Sequence, residues 1–287
     1  MERREFIQIS TGLMALTVLE SFKEQESEMP VLFIGHGSPM NALEDNEFSR
    51  GWRTMATDIP VPTAILCISA HWETKGTFVT AMENPKTIHD FGGFPAELFA
   101  AQYPAPGSIW LAEQTQTECT KTTVQLDNNW GLDHGCWSVL KQMYPDANIP
   151  VVQLSLDYTK DAQYQYNLAQ ELTKLRKKGV LIIGSGNMVH SFKYAVFSGN
   201  FNQHFGHDWA LEANETFKKL ILNRDIKSLA DYKNYSKATN LSAPTPEHYL
   251  PLMYTLGAMQ NNDAIHFFND AVVAGSFSMT CVKIDKK

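Results

Sequence analysis

No CxxC pair occurs in this chain. Its four cysteines, Cys67, Cys119, Cys136 and Cys281, are widely scattered. That spacing argues against a thiolate zinc site, a redox dithiol or a fold built on disulfides. Cys67 lies inside an apolar run and reads as a small core residue. Basic charge is short as well: 24 Lys and Arg against 31 Asp and Glu give a formal net charge of -7. Nothing resembles the basic patch that nucleic-acid binding needs, although a small anionic substrate held by one local cation stays open. A Gly-x-Ser-x-Gly elbow is missing, and so is His-Glu-x-x-His. The usual sequence marks of a serine hydrolase and of a zinc protease are therefore absent. There is no repeat or low-complexity tract, and no apolar stretch with the length of a membrane span.

What is present is the composition of a globular protein, with 44% hydrophobic residues among 287. The first 28 residues stand apart. Arg3-Arg4-Glu5-Phe6-Ile7 precedes an interrupted apolar run at 6–19, and Glu24-Gln25-Glu26-Ser27-Glu28 follows as a polar linker. A paired arginine before an apolar stretch resembles a degenerate twin-arginine export signal, but no small-x-small cleavage site follows. The expectation is an N-terminal extension, 1–28, on a cytoplasmic protein, with export as the alternative. Residues 29–287 show no internal boundary.

Strand patterns fall at 31–34, 64–69, 77–81, 151–156, 180–183, 264–268 and 276–282. Helix patterns fall at 45–55, 95–102, 108–119, 137–143, 161–176, 210–222 and 248–259. In 161–176, Ala162, Leu168, Leu172 and Leu175 recur near helical period. Strands alternating with helices predict a single α/β domain, its central sheet mostly parallel or mixed, with helices on both faces. The run 64–69 is apolar at nearly every position, as in a strand buried on both sides. Residues 198–207 read as a long loop.

Histidines recur where these strands end. His36 follows an apolar run and is bracketed by Gly35 and Gly37, and His71 ends Ser69-Ala70-His71-Trp72. His248 follows two prolines in Pro244-Thr245-Pro246-Glu247-His248-Tyr249. Open α/β sheets place ligands at such an edge. Imidazole is the commonest protein metal ligand near neutral pH, so His36, His71 and His248 are candidate ligands of a catalytic metal. His190 follows Gly184-Ser185-Gly186-Asn187, which lacks the Lys-Ser/Thr of a phosphate loop. His134 stands beside Asp133, either its hydrogen-bond partner or a helix cap. His89-Asp90-Phe91-Gly92-Gly93-Phe94-Pro95 suits a pocket for a flat ring, or a glycine turn with two core phenylalanines. His204, His207 and His266 receive no role. Taken singly, any of these histidines reads equally well as a hydrogen-bonded core residue.

Together, Gly35-His36-Gly37-Ser38-Pro39, Ser69-Ala70-His71-Trp72, the His89 to Pro95 segment, Asp133-His134-Gly135, Gly186-Asn187-Met188-Val189-His190 and Pro244 to Tyr249 resemble the class III extradiol ring-cleavage dioxygenases. The nearest branch is the 4,5-DOPA dioxygenase group. The resemblance runs from about Met29 to the C-terminus. It implies a mononuclear non-haem iron site in a single α/β domain. By position, His36, His71 and His248 match that branch's metal ligands. His190 matches an acid/base histidine or a further zinc ligand, and His134 another pocket histidine. The implied reaction uses Fe(II), O2 and a catechol, DOPA-like or otherwise, and opens the ring beside the diol to a muconic semialdehyde. An imidazole can take a catechol proton and later return it, because its pKa lies near working pH.

One departure stands out. Many non-haem Fe(II) oxygenases use two histidines and a carboxylate. Here the third ligand reads as His248, with Glu247 expected to point elsewhere, leaving a dication uncompensated. Three neutral imidazoles suit Zn(II) equally, so a zinc hydrolase using the same site is the alternative enzyme. A non-catalytic binding module on the same fold is a third reading. No cation that would read a substrate carboxylate is evident, and the oligomeric state is open.

Overall fold

In a computed structural model, residues 28–197 and 199–287 are described, so the expected extension and signal at 1–28 fall almost wholly outside the described residues. Six strands make the central sheet: β1 (Val31–Gly35), β2 (Ala64–Ser69), β3 (Val151–Gln153), β4 (Val180–Gly186), β5 (Asp263–Phe268) and β6 (Cys281–Lys286). Their spatial order is β3-β2-β4-β1-β6-β5. The first four are parallel, while β6 is antiparallel to both β1 and β5. The sheet is thus mixed, with a parallel half whose C-terminal ends all face one edge.

Side chains alternate between two cores because successive Cβ atoms leave a strand on opposite faces. Val31, Phe33, Leu66, Ile68, Val180 and Ile182 pack on one side with the helices Ala162–Leu172 and Leu250–Gly257. Leu32, Ile34, Ile65, Cys67, Leu181 and Ile183 pack on the other. There they meet Trp52 and Met55 of the helix Glu47–Asp58, and Trp137 and Leu140 of the helix His134–Met143. Both faces of β1, β2 and β4 are covered, which is why those strands are apolar up to the serines near the C-terminal ends of β2 and β4.

Several boundaries differ from the sequence expectation. The strand expected at 276–282 divides into Phe277–Ser278 and β6. At the break, the Ser278 and Thr280 hydroxyls bond the Asn214 Oδ1 at 2.6 and 2.9 Å, drawing the chain off the ladder. The strand expected at 151–156 divides too, since Leu154 N–H bonds Cys67 while Ser155 N–H bonds Phe78 on another strand. The helix expected at 137–143 begins at His134, because Asp133 caps it by accepting from Cys136 N–H at 3.1 Å. The last helix starts at Leu250 rather than 248, leaving His248 in the preceding turn. Residues 199–207 are irregular, apart from bridges at His204 and Gly206. No helix among the described residues is long and apolar enough to cross a membrane.

Candidate metal centre and its cavity

The parallel edge delivers the site. His36 directly follows β1, His71 lies two residues past β2, and His190 lies four past β4. His134 opens its helix beside them, and His248 arrives from the turn before the last helix. Two glycines permit the close approach. A Cβ on Gly186 would sit 2.1 Å from the His248 carbonyl oxygen, and one on Gly135 would sit 2.9 Å from the His71 ring. The Asn187 N–H then donates to the His248 carbonyl at 2.8 Å, fixing that turn on the end of β4.

His36, His71 and His248 each bring a ring nitrogen to one place, all within 4.8 Å of one another. For His36 and His248 the hydrogen bonds settle which nitrogen faces the centre. The Ser185 hydroxyl donates its only proton to the Gly135 carbonyl at 2.6 Å, so it can only accept from His36 Nδ1, 3.0 Å away. His36 Nε2 is therefore a lone pair. His248 Nδ1 lies 3.1 Å from Glu247 Oε1, which assigns the proton there and leaves its Nε2 bare. His71 turns Nδ1 toward Asp90 Oδ2 at 3.5 Å, and its Nε2 lies 3.3 Å from His36 Nε2. Those two nitrogens are within hydrogen-bond distance, so a proton on His71 Nε2 can join the two rings, and a cation would take that proton's place. His36 and His248 each have the outer nitrogen held by an oxygen acceptor, as metal-binding imidazoles do.

Burial supports the same reading. It pushes the pKa of His36 and of His71 well below the ordinary imidazole value, and neighbouring histidines push further. Burial also lowers His248, with Glu247 pulling the other way. His190 is lowered to about 2, first by burial and then by His248, on which it stacks at 3.5 Å and 5°. The neutral imidazole that results is the form that binds metal. Burial alone would raise Glu247, but its bond to His248 prevails and holds it at about 2, as a carboxylate. Asp90 is likewise held below its usual range despite burial, by bonds from His134.

One expectation needs correction, and one open alternative resolves in favour of the helix cap. Glu247 does not point elsewhere: it bonds His248. The helix starts at Leu250, so residues 247 and 248 lie in a turn where adjacent side chains can meet. A dication held by the three imidazoles would accordingly have Glu247 and Asp90 behind its ligands rather than no counter-charge. Asp133 acts as the helix cap and is not the partner of His134. It also accepts from Ser69 Oγ at 2.6 Å, and Ser69 in turn receives the His71 N–H, so it braces the turn that carries His71. The partner of His134 is Asp90, which takes its Nδ1–H at 3.0 Å and its backbone N–H at 2.9 Å.

The centre opens into a cavity of about 700 Å³ lined by all five of these histidines. Phe91, Phe94, Phe192, Phe197, Phe201 and Phe277 supply aromatic walls. The segment around Asp90 and Phe91 thus lines a pocket suited to a flat ring. His89 turns away, bonding the Ala101 carbonyl at 2.8 Å. Ser185 was hidden in a Gly-Ser-Gly run that invited comparison with a phosphate loop. Asp90 was visible only as part of a pocket motif.

The family described as the catalytic LigB subunit of aromatic ring-opening dioxygenase matches residues 30–276. A protein of Escherichia coli (strain K12) named 4,5-DOPA dioxygenase extradiol is 45% identical over 262 residues, spanning 90% of this chain and 95% of that one. One of the same name from Beta vulgaris is 36% identical over 253 residues, spanning 86% and 92%. The crystal structure of an uncharacterized Escherichia coli K12 protein aligns with a TM-score of 0.78 at 40% identity, covering 89% of this chain and 99% of that chain.

Proposed function

Because the chain belongs to the LigB family of aromatic ring-opening dioxygenases, we propose that it opens a catechol of the DOPA type beside its diol, taking up O2 and giving a muconic semialdehyde. Residues 29–287 make up the catalytic unit in this reading. The observation that carries it is the meeting of three imidazole nitrogens, within 4.8 Å of one another, at the base of an aromatic-walled cavity. His36, His71 and His248 are the residues that would hold the metal, Fe(II) for activity, with Zn(II) a competitor that the same neutral donors accept. When bound, Fe(II) supplies a common anchor for the two catechol oxygens and a path for electron density from ring to O2.

The chain's own groups supply the rest. His190 enters as a neutral base, since burial disfavours its cation. A ring nitrogen of His190 accepts a catechol proton as the diol docks. The anionic ring then provides the counter-charge that stabilises the imidazolium, which holds the proton for return to oxygen. His134 has committed Nδ1–H to Asp90, so its Nε2 is an acceptor available to orient a catechol hydroxyl. The phenylalanine walls offer faces on which the ring can stack.

The test is anaerobic loading with Fe(II), then mixing with L-DOPA and 4-ethylcatechol in air. One O2 consumed per ring opened, with a yellow semialdehyde chromophore, is the expected result, and His71→Ala should abolish it. Ester or amide hydrolysis by Zn(II)-loaded protein, with no O2 uptake under any loading, would instead favour the hydrolase reading.

A further inference from the structure

Beyond the histidines, the cavity carries an unusual balance of charge. Its lining includes two carboxylates, Glu44 and Asp90, and no Lys or Arg among the described residues. Asp90 is already committed, with one oxygen on the backbone N–H of His134 and the other on its ring. Glu44 is not. Its Oε2 accepts from Asn46 Nδ2 at 3.2 Å and from Asn202 Nδ2 at 3.0 Å, whereas Oε1 has no partner among the described residues. The same two amides also donate to Asn41 Oδ1, at 2.8 and 3.2 Å. Asn41 in turn donates to the His36 carbonyl at 3.1 Å. A frame of three amides therefore ties the Glu44 carboxylate to the backbone that carries His36, at a fixed position in the wall of the same cavity.

We propose that Glu44 reads a protonated amine on the side chain of the catechol, so that the pocket selects cationic catechols and rejects those bearing only a carboxylate. The proposal rests on the ring-opening reading above. A half-buried carboxylate with one free oxygen is a charge-assisted acceptor for an ammonium group. The phenylalanine faces around it add to that preference, since an aromatic face attracts a cation. An anionic side chain finds the opposite: a like charge, six aromatic walls and no Lys or Arg to pair with. An amino-acid catechol presents both groups and should fall between the two.

The experiment uses three catechols that differ at the end of a short side chain: 3,4-dihydroxyphenethylamine, neutral 4-ethylcatechol and 3,4-dihydroxyphenylpropionate. Fe(II)-loaded wild type and Glu44→Gln are compared by the ratio of kcat/KM between substrates within each protein. Gln keeps an oxygen for the Asn46 and Asn202 amides, so the frame survives while the charge goes. The wild type is expected to favour the amine over the neutral catechol by about tenfold, the scale of one charge-assisted hydrogen bond, and to rank the acid last. In Glu44→Gln the amine-to-neutral ratio should fall toward one. A wild type that ranks the acid first, or a variant whose amine-to-neutral ratio is unchanged, overturns the assignment. Calorimetric titration of the same three compounds without O2 separates the two readings. If no ring is opened, the dioxygenase reading fails, yet the binding order still reports whether Glu44 sorts ligands by charge.

Discussion

Ser185→Ala tests whether the proton on His36 is placed by its neighbours. The Ser185 hydroxyl accepts from His36 Nδ1 at 3.0 Å while donating to the Gly135 carbonyl at 2.6 Å. Without it, His36 has two choices. It can keep its proton on Nδ1, buried and unpaired, at a cost of about 1–3 kcal/mol. Or it can move the proton to Nε2 and withdraw the lone pair from the metal. Either way metal affinity falls. Loss of a partner behind a ligating histidine typically costs about 10–100-fold in affinity, or about 1.4–2.8 kcal/mol, which agrees with the first figure. The assay is competition between apo protein and a chromophoric chelator for Zn(II) at neutral pH, with urea unfolding of the apo forms in parallel. Ser138→Ala is the control, because its hydroxyl is also buried, on the helix that His134 opens, but has no hydrogen-bond partner among the described residues. It should leave affinity within about twofold. If Ser185→Ala binds Zn(II) as tightly as wild type, the tautomer argument is wrong. If Ser138→Ala weakens binding equally, the loss reflects repacking rather than a misplaced proton.

The apo protein should lose stability as pH falls below about 6.5. Burial lowers His36, His71, His190 and His248 in the folded chain, whereas the unfolded chain titrates them near 6.5. Below that pH the unfolded state binds more protons, so stability is complete above 6.5 and declines by up to ~1.4 kcal/mol per pH unit for each histidine still neutral. Urea midpoints at pH 7.5 and 5.5 give the slope, and a flat or inverted dependence contradicts the assignment. Far from the site, the fully buried Arg176 donates to Asp263 Oδ2 at 2.6 Å and to the Met29 and Ala258 carbonyls. Asp263→Asn strands that guanidinium charge and should cost about 3–5 kcal/mol in urea unfolding. A loss under about 1 kcal/mol would mean that the carbonyls alone satisfy it.

The parts of the site that follow a backbone rule were legible in the sequence, and the parts that depend on side chains meeting across the fold were not. An apolar run followed within a few residues by a histidine, with a glycine turn between them at His36 and His190, says where a strand ends and what its end presents, so His36, His71 and His190 are visible in the sequence. The helices covering the two faces were likewise visible in their period, although not their exact ends. The groups behind the imidazoles carry no such signal. Ser185 meets His36 across 149 residues of chain, and Asp90 meets His134 across 44. Glu247 shows how local reasoning fails at close range. Two prolines and a following apolar helix suggested a helix start at 248, which would send neighbouring side chains apart. The helix begins at Leu250 instead, and the turn that remains lets Glu247 bond the ring beside it. This asymmetry has a chemical consequence. The ligand types alone leave iron and zinc, and dioxygenase and hydrolase, equally open. What distinguishes one three-histidine site from another is the proton placed on each outer nitrogen, the charge standing behind it and the wall facing the ligand. Ser185, Asp90, Glu247 and Glu44 set those, and apart from Glu247, which precedes His248 in the chain, tertiary structure brings them to the histidines.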